Sequence, residues 1–218
     1  MSSMERFGSD GYLSVIGTSY IHPITTLMET LKALDPQGPN EVQASSNENG
    51  YSAAATVLSV LLCESALTRT QVIRHEKQCH PADFLNSAFP DSGLNTQIEE
   101  LFVVRNAIAH NHVWGGQYAS DWNEGMRLKE VRMRSGRQDS KYQRAANIQD
   151  RTTRILGLNL FPTRICFRDA IISVRTVTDL LIFLESKDRL YFSIEGMPVK
   201  TPSGVLLYTD WVKSLPRA

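Results

Sequence analysis
The segment Arg105-Asn-Ala-Ile-Ala-His110 sets an arginine, an amide and an imidazole within six residues of chain. Those three side chains suit the cleavage of an RNA phosphodiester. A histidine titrates near neutral pH, so it can take the proton of a 2′-hydroxyl or give one to the leaving 5′-oxygen. An arginine offers a planar fork of donors to the phosphate as charge builds on it. The chemistry requires no metal, and no cofactor is expected. By spacing alone the segment fits equally a helix-end arginine paired with Glu99 or Glu100, and a histidine capping the last carbonyls of its helix.

A helix must carry the segment. Asn95 or Thr96 is a natural N-cap, Ile98, Leu101, Phe102, Ile108 and Ala109 form an apolar stripe, and Gly115-Gly116 mark a stop, giving a helix over about 95–114. On it Asn106 and His110 share a face, but Arg105 and His110 stand about 140° apart. One helix does not bring those two together unless Arg105 reaches around or the helix loosens. A cleft shared by two copies of the chain removes the difficulty. His112 lies close enough in sequence to support the same site. Trp114, Tyr118 and Trp122 follow it, and could stack on bases or pack the helix exit.

Glu64 stands among Val57, Val60, Leu61 and Leu67 on a second apolar stretch. A carboxylate there needs a partner. Arg105 would fit and would be held in position; Arg69 or open solvent would serve as well.

Apolar periodicity places the remaining core helices at about 17–34, 51–79 and 168–186. The first carries Ile24, Leu27, Met28, Leu31 and Leu34. The second is capped by Ser52 and the last lines up Ile171, Ile172, Val174, Val177, Leu180, Leu181 and Leu184. Residues 82–88 read as a short helical piece. Residues 117–165 differ, with alternation over 126–134 and again from Thr153 to Leu160 that predicts short strands on a basic insertion. A C-terminal extension from about 188 to 218 carries Leu190-Tyr-Phe-Ser-Ile and Val205-Leu-Leu-Tyr, a candidate hairpin turning near Pro202-Ser-Gly. The whole reads as one all-α domain over 1–218: an up-and-down four-helix bundle with a small β-hairpin insertion before the last helix and short C-terminal strands.

Net charge is zero, yet residues 1–100 carry 5 basic and 12 acidic groups while residues 126–175 carry 12 and 4. That basic stretch, with Arg127, Lys129, Arg132, Arg134 and Arg137 at its start, is the candidate RNA-binding surface; a basic surface answered by the acidic half is the plain alternative. Cys63, Cys79 and Cys166 form no disulfide framework. His75, Cys79 and His80 offer metal-type donors without a second ligand pair, so no metal site is expected. There is no basic-then-apolar leader and the longest apolar run, Ala53 to Cys63, is short for a bilayer, so the expectation is a cytoplasmic protein with no membrane partner.

The stretch Leu101-Phe-Val-Val-Arg-Asn-Ala-Ile-Ala-His-Asn-His-Val-Trp114 resembles the signature of the HEPN superfamily, R-x(4–6)-H with a polar residue directly after the arginine. The Cys63-Glu-Ser65 helix and the late Leu156-Gly-Leu-Asn-Leu-Phe-Pro segment before a final helix resemble that family's layout. The resemblance implies a helical bundle, a homodimer whose two motifs form one cleft, and metal-independent endoribonuclease activity in toxin–antitoxin or antiphage systems. Arg105, Asn106 and His110 are then its catalytic set, RNA its substrate, and an antitoxin or defence protein its cognate partner. A non-catalytic HEPN module that binds RNA or nucleotide, or serves assembly, carries the same residues. In HEPN toxins paired with a nucleotidyltransferase the motif continues H-x-Y; here His112 takes the tyrosine's place.

Overall fold
Helix dominates the computed structural model, which describes residues 16–40, 43–110, 114–121, 125–133 and 140–217. After a 3-10 turn at Ile16–Tyr20, α1 spans Ile21–Ala33 and α2 spans Ser46–Ile73. The shorter α3 follows at Pro81–Ala88, then α4 at Asn95–His110. A hairpin of β1 (Trp114–Asp121) and β2 (Gly125–Met133) leads to α5 (Ser140–Ala145) and to a two-residue pair, β3 (Ala146–Asn147) with β4 (Thr152–Thr153). The long α6 (Phe167–Lys187), a second hairpin of β5 (Pro198–Thr201) and β6 (Gly204–Leu207), and α7 (Tyr208–Ser214) complete the chain.

The mainly helical class agrees with the periodicity; several boundaries do not. Helix α2 is capped about two turns before the expected Ser52, because Ser45 accepts from the Glu48 amide at 3.3 Å and the polar run 46–50 is its first turn. Ser52 lies fully buried within the helix. Its end comes at Ile73 rather than Cys79. His75 adopts φ +53, and the amides of His75 and Glu76 turn back onto the carbonyls of Val72 and Gln71, closing the terminus as a Schellman turn. Helix α4 is described to His110; Gly115 and Gly116, expected to end a helix, lie instead in β1 opposite Arg132 and Val131.

Within the insertion, the alternation of 126–134 does give a strand, but from Thr153 onward only Thr152–Thr153 is strand. Residues 140–145, unforeseen, are helical. In the C-terminal extension the turn falls at 202–203 as expected, with Pro198–Thr201, not Leu190–Ile194, as the partner of Val205. Nor is α6 the last helix. Tyr208 and Trp211 of α7 are buried, and the Trp211 indole donates to Glu29 Oε1 at 2.8 Å, so the extension belongs to the core.

One hydrophobic cluster runs from Ile21 to Leu215. At its centre α2 packs against α1, α3, α4 and α6. By length and composition α2 could cross a membrane; half of its apolar window is buried inside the protein by these neighbours. The expected faces of α1 and α6 are buried, except that Leu27 and Ile172 stay partly exposed and Leu34 is exposed.

Candidate functional site
Helix α4 presents two working sides. Taking 100° per residue, Glu99, Val103, Asn106 and His110 fall within about 60° of one another, and Arg105 lies about 140° away from His110. The contacts follow that division. Toward α2, Arg105 Nη2 donates to Glu64 Oε2 at 3.2 Å, with the side chains 23% and 37% exposed. The guanidinium also sits 5.6 Å from the centre of the Phe102 ring, a cation–π contact from the preceding turn. Two groups therefore fix it, leaving further donors on the fork for a phosphate. Arg69, the alternative partner for Glu64, instead donates from Nε to the Leu190 carbonyl.

On the other side Asn106 is half-buried and His110 is exposed in the last turn of α4. Glu99 and Glu100, the alternative partners for Arg105, bind other segments instead. Glu99 Oε1 accepts from Arg144 Nη2 at 2.7 Å, and the Tyr142 hydroxyl donates to the Val103 carbonyl, so α5 lies along the Asn106–His110 side. The residues brought into direct contact are thus Arg105 and Glu64. Arg105 and His110 remain on different sides of one helix.

Of the basic residues expected at the start of the insertion, Arg127 falls opposite Ala119 and Arg132 opposite Gly115 in the hairpin, with Lys129 at the bulge between the partners of Gln117 and Tyr118. His112, Arg134, Arg137 and Trp122 lie outside the described residues.

Sequence reasoning overlooked a set of buried carboxylates that hold the backbone around α4 and α6. Glu100, fully buried, accepts from the amides of Ile155 and Leu156, both at 2.8 Å. Asp169, also fully buried, accepts from the amides of Asn159 and Cys166, from the Asn159 side chain and from the Cys166 thiol. Glu48 accepts from the Phe167 amide at the start of α6 and from the Gly38 amide. An acid inside an otherwise apolar stripe was the available signal, and it was read at Glu64 alone.

Among the described residues no group of metal-ligating side chains is gathered. The backbone amide of Cys79 donates to Gln71 Oε1, and His80 Nδ1 accepts from the Ala82 amide while its ring lies 4.9 Å from Phe102. The His80 ring thus serves capping and packing. Burial, with Glu64 adjacent, pushes the Cys63 thiol well up, and burial with Asp169 beside it pushes Cys166 up to about 12. Neither is a nucleophile at neutral pH.

Compared with known protein families, curated proteins and solved structures, the chain matches none of them.

Proposed function
We propose that this chain is a metal-independent endoribonuclease of HEPN type, acting as a homodimer within a toxin–antitoxin or antiphage system. The observation that carries the reading is the held arginine. Glu64 and Phe102 fix the Arg105 guanidinium in a half-buried setting on the same helix that exposes His110. A fixed, partly desolvated cation is what a phosphate needs as charge builds during 2′-hydroxyl attack. His110 supplies proton transfer at the 2′- or 5′-oxygen, and Asn106 orients either partner.

The two sides of α4 make a second copy part of the proposal. Arg105 of one protomer and His110 of the other face one phosphate if two α4 helices cross near the motif. An uncharged row on α2 (Tyr51, Ala54, Leu58, Leu61, Ser65, Thr68, Val72), each partly or largely exposed and spaced alternately by three and four residues, runs beside Glu64. Such spacing is the pattern by which one helix seats on another. A bundle of the HEPN kind, an antitoxin or defence protein as partner, and the cytoplasm as location follow from the same reading.

The test is incubation of purified protein with total RNA in EDTA, beside His110→Ala. The expected result is cleavage leaving 2′,3′-cyclic phosphate ends, with a loss of about 10²-fold or more in the variant. Intact RNA with a dimeric wild-type protein would instead favour a module that binds RNA or nucleotide without cutting it.

A further inference from the structure
Beyond the hairpin, a second basic surface stands on the described part of the insertion. Residues 140–168 hold six basic side chains and one acidic one, Asp150. Three of the arginines border one short stretch of chain. Arg144 is 61% exposed and reaches Glu99 on α4. The exposed Arg154 donates from Nη2 to the Gln143 carbonyl, and its amide to the Ala145 carbonyl. The exposed Arg168, in the first turn of α6, donates to the Gly157 carbonyl at 2.9 Å. Arg154 and Arg168 are held by carbonyls, which position a guanidinium without neutralising it.

The backbone beneath them is pinned. Glu100 binds the amides of Ile155 and Leu156, Asp169 binds Asn159, and the Thr153 hydroxyl accepts from the Leu158 amide. Ordering irregular backbone on two buried carboxylates is costly, and it leaves the side chains of this stretch in set positions. Along the same stretch of chain two isoleucines are exposed, Ile148 at 53% and Ile155, next in sequence to Arg154, at 61%. Exposed aliphatic side chains beside fixed cations suit a ligand that offers both phosphates and unstacked, flat apolar faces. A duplex backbone gives only the phosphates.

The geometry points to this arginine and isoleucine platform as a binding site for the unpaired part of an RNA, a loop or a single-stranded flank, next to the cleavage site. The inference rests on the ribonuclease reading for the identity of the cut, but not for the binding itself. Its position fits. Glu100, which anchors the platform, is ten residues from His110 on α4, a rise of about 15 Å. Because α5 lies along the Asn106–His110 side, a strand leaving the histidine runs onto Arg144 and then to Arg154 and Arg168.

A fluorescent stem-loop made of 2′-O-methyl RNA, which cannot be cut by 2′-attack, is titrated into the full-length protein across a range of salt, beside a blunt duplex of the same stem. The expected result is preference for the stem-loop. Arg154→Ala with Arg168→Ala should weaken binding about tenfold or more and lower the log–log salt slope by about 0.7 for each phosphate that is no longer neutralised. Arg154→Lys with Arg168→Lys should restore the slope, which a merely structural role for these residues would not do. Ile148→Ser with Ile155→Ser should erase the preference for the loop and leave duplex binding unchanged. Unchanged affinity and slope in the double alanine protein would overturn the inference even if wild-type protein cuts RNA. Binding to phosphatidylserine-containing vesicles, but not to RNA, would overturn it in favour of a membrane surface. Loss of stem-loop binding in the double variant, alongside uncut natural RNA with wild type, would sustain the platform and sink the nuclease reading.

Discussion
Arginine is treated in opposite ways on the two sides of α4. Toward α2, Arg105 is one half-buried cation held by one carboxylate and one ring. Toward α5 and the 146–160 segment, Arg154 and Arg168 stand exposed, and it is the chain beneath them that buried carboxylates hold. The first arrangement fixes a single charge at one point, which suits a reacting phosphate. The second fixes a surface, which suits a run of phosphates whose individual contacts are weak. The difference lies in what the acid binds: at Glu64 a guanidinium, at Glu100 two backbone amides.

Stability should separate the two sides most sharply. Replacing Glu100 by Ala strands two amides that it accepts, at roughly 1.5–3 kcal/mol for each bond to a charged group, so a loss of about 3 kcal/mol or more is expected. Glu64→Ala removes a pair that solvent already screens, and about 1 kcal/mol or less is expected. Urea unfolding of both variants measures this; equal losses would dissolve the distinction.

Activity should order them in reverse. Glu64→Gln keeps the shape but removes the charge that holds Arg105, and RNA cleavage is expected to fall about tenfold with little change in melting temperature. Arg105→Lys, which loses the fork geometry, should cost more than Glu64→Gln. Single-turnover cleavage rates decide it, and a Glu64→Gln protein as active as wild type would leave the ion pair without a role in positioning.

A buried thiol accompanies each side, Cys63 beside Glu64 and Cys166 on Asp169. Both are held protonated in the folded protein, as is the Tyr208 hydroxyl, pushed up to about 12 by burial. A group whose folded pKa lies above its unfolded value stabilises fully below the unfolded value and loses that contribution as pH rises toward the folded one. Stability is therefore expected to fall from about pH 8.5, where an unfolded thiol ionises, and again above about pH 10 for the tyrosine. Denaturant midpoints across alkaline pH should show the decline, and Cys166→Ser should flatten its first part. The smallest expected effect is chemical. Only Cys79 is exposed, so a thiol reagent at neutral pH should count one fast thiol in native protein and three after unfolding.

Much of the helical frame was legible because long amphipathic stretches impose their period on the chain. The buried face of α6 follows from that alone, whereas α2 and α4 are legible as long runs of helix-forming, largely apolar residues bounded by polar or glycine-rich segments. Boundaries were less so. The stop before His75 requires a left-handed histidine that no residue preference announces, and the two glycines that read as a helix stop are paired in a strand. That Glu64 needs a cation is legible, since it stands among apolar residues, but Arg105 and Arg69 are equal candidates by sequence.

Residue type and helical pitch are local properties, so the residues suited to chemistry and the divergence of Arg105 and His110 around one helix are written in the chain. That Glu64 pairs with Arg105 and not with Arg69, which is drawn off to the Leu190 carbonyl, depends on how distant segments pack. Only the tertiary structure decided that Glu100, Asp169 and Glu48 bind backbone 10 to 119 residues away. Those bonds depend on where distant segments come to rest, and no period in the chain records it.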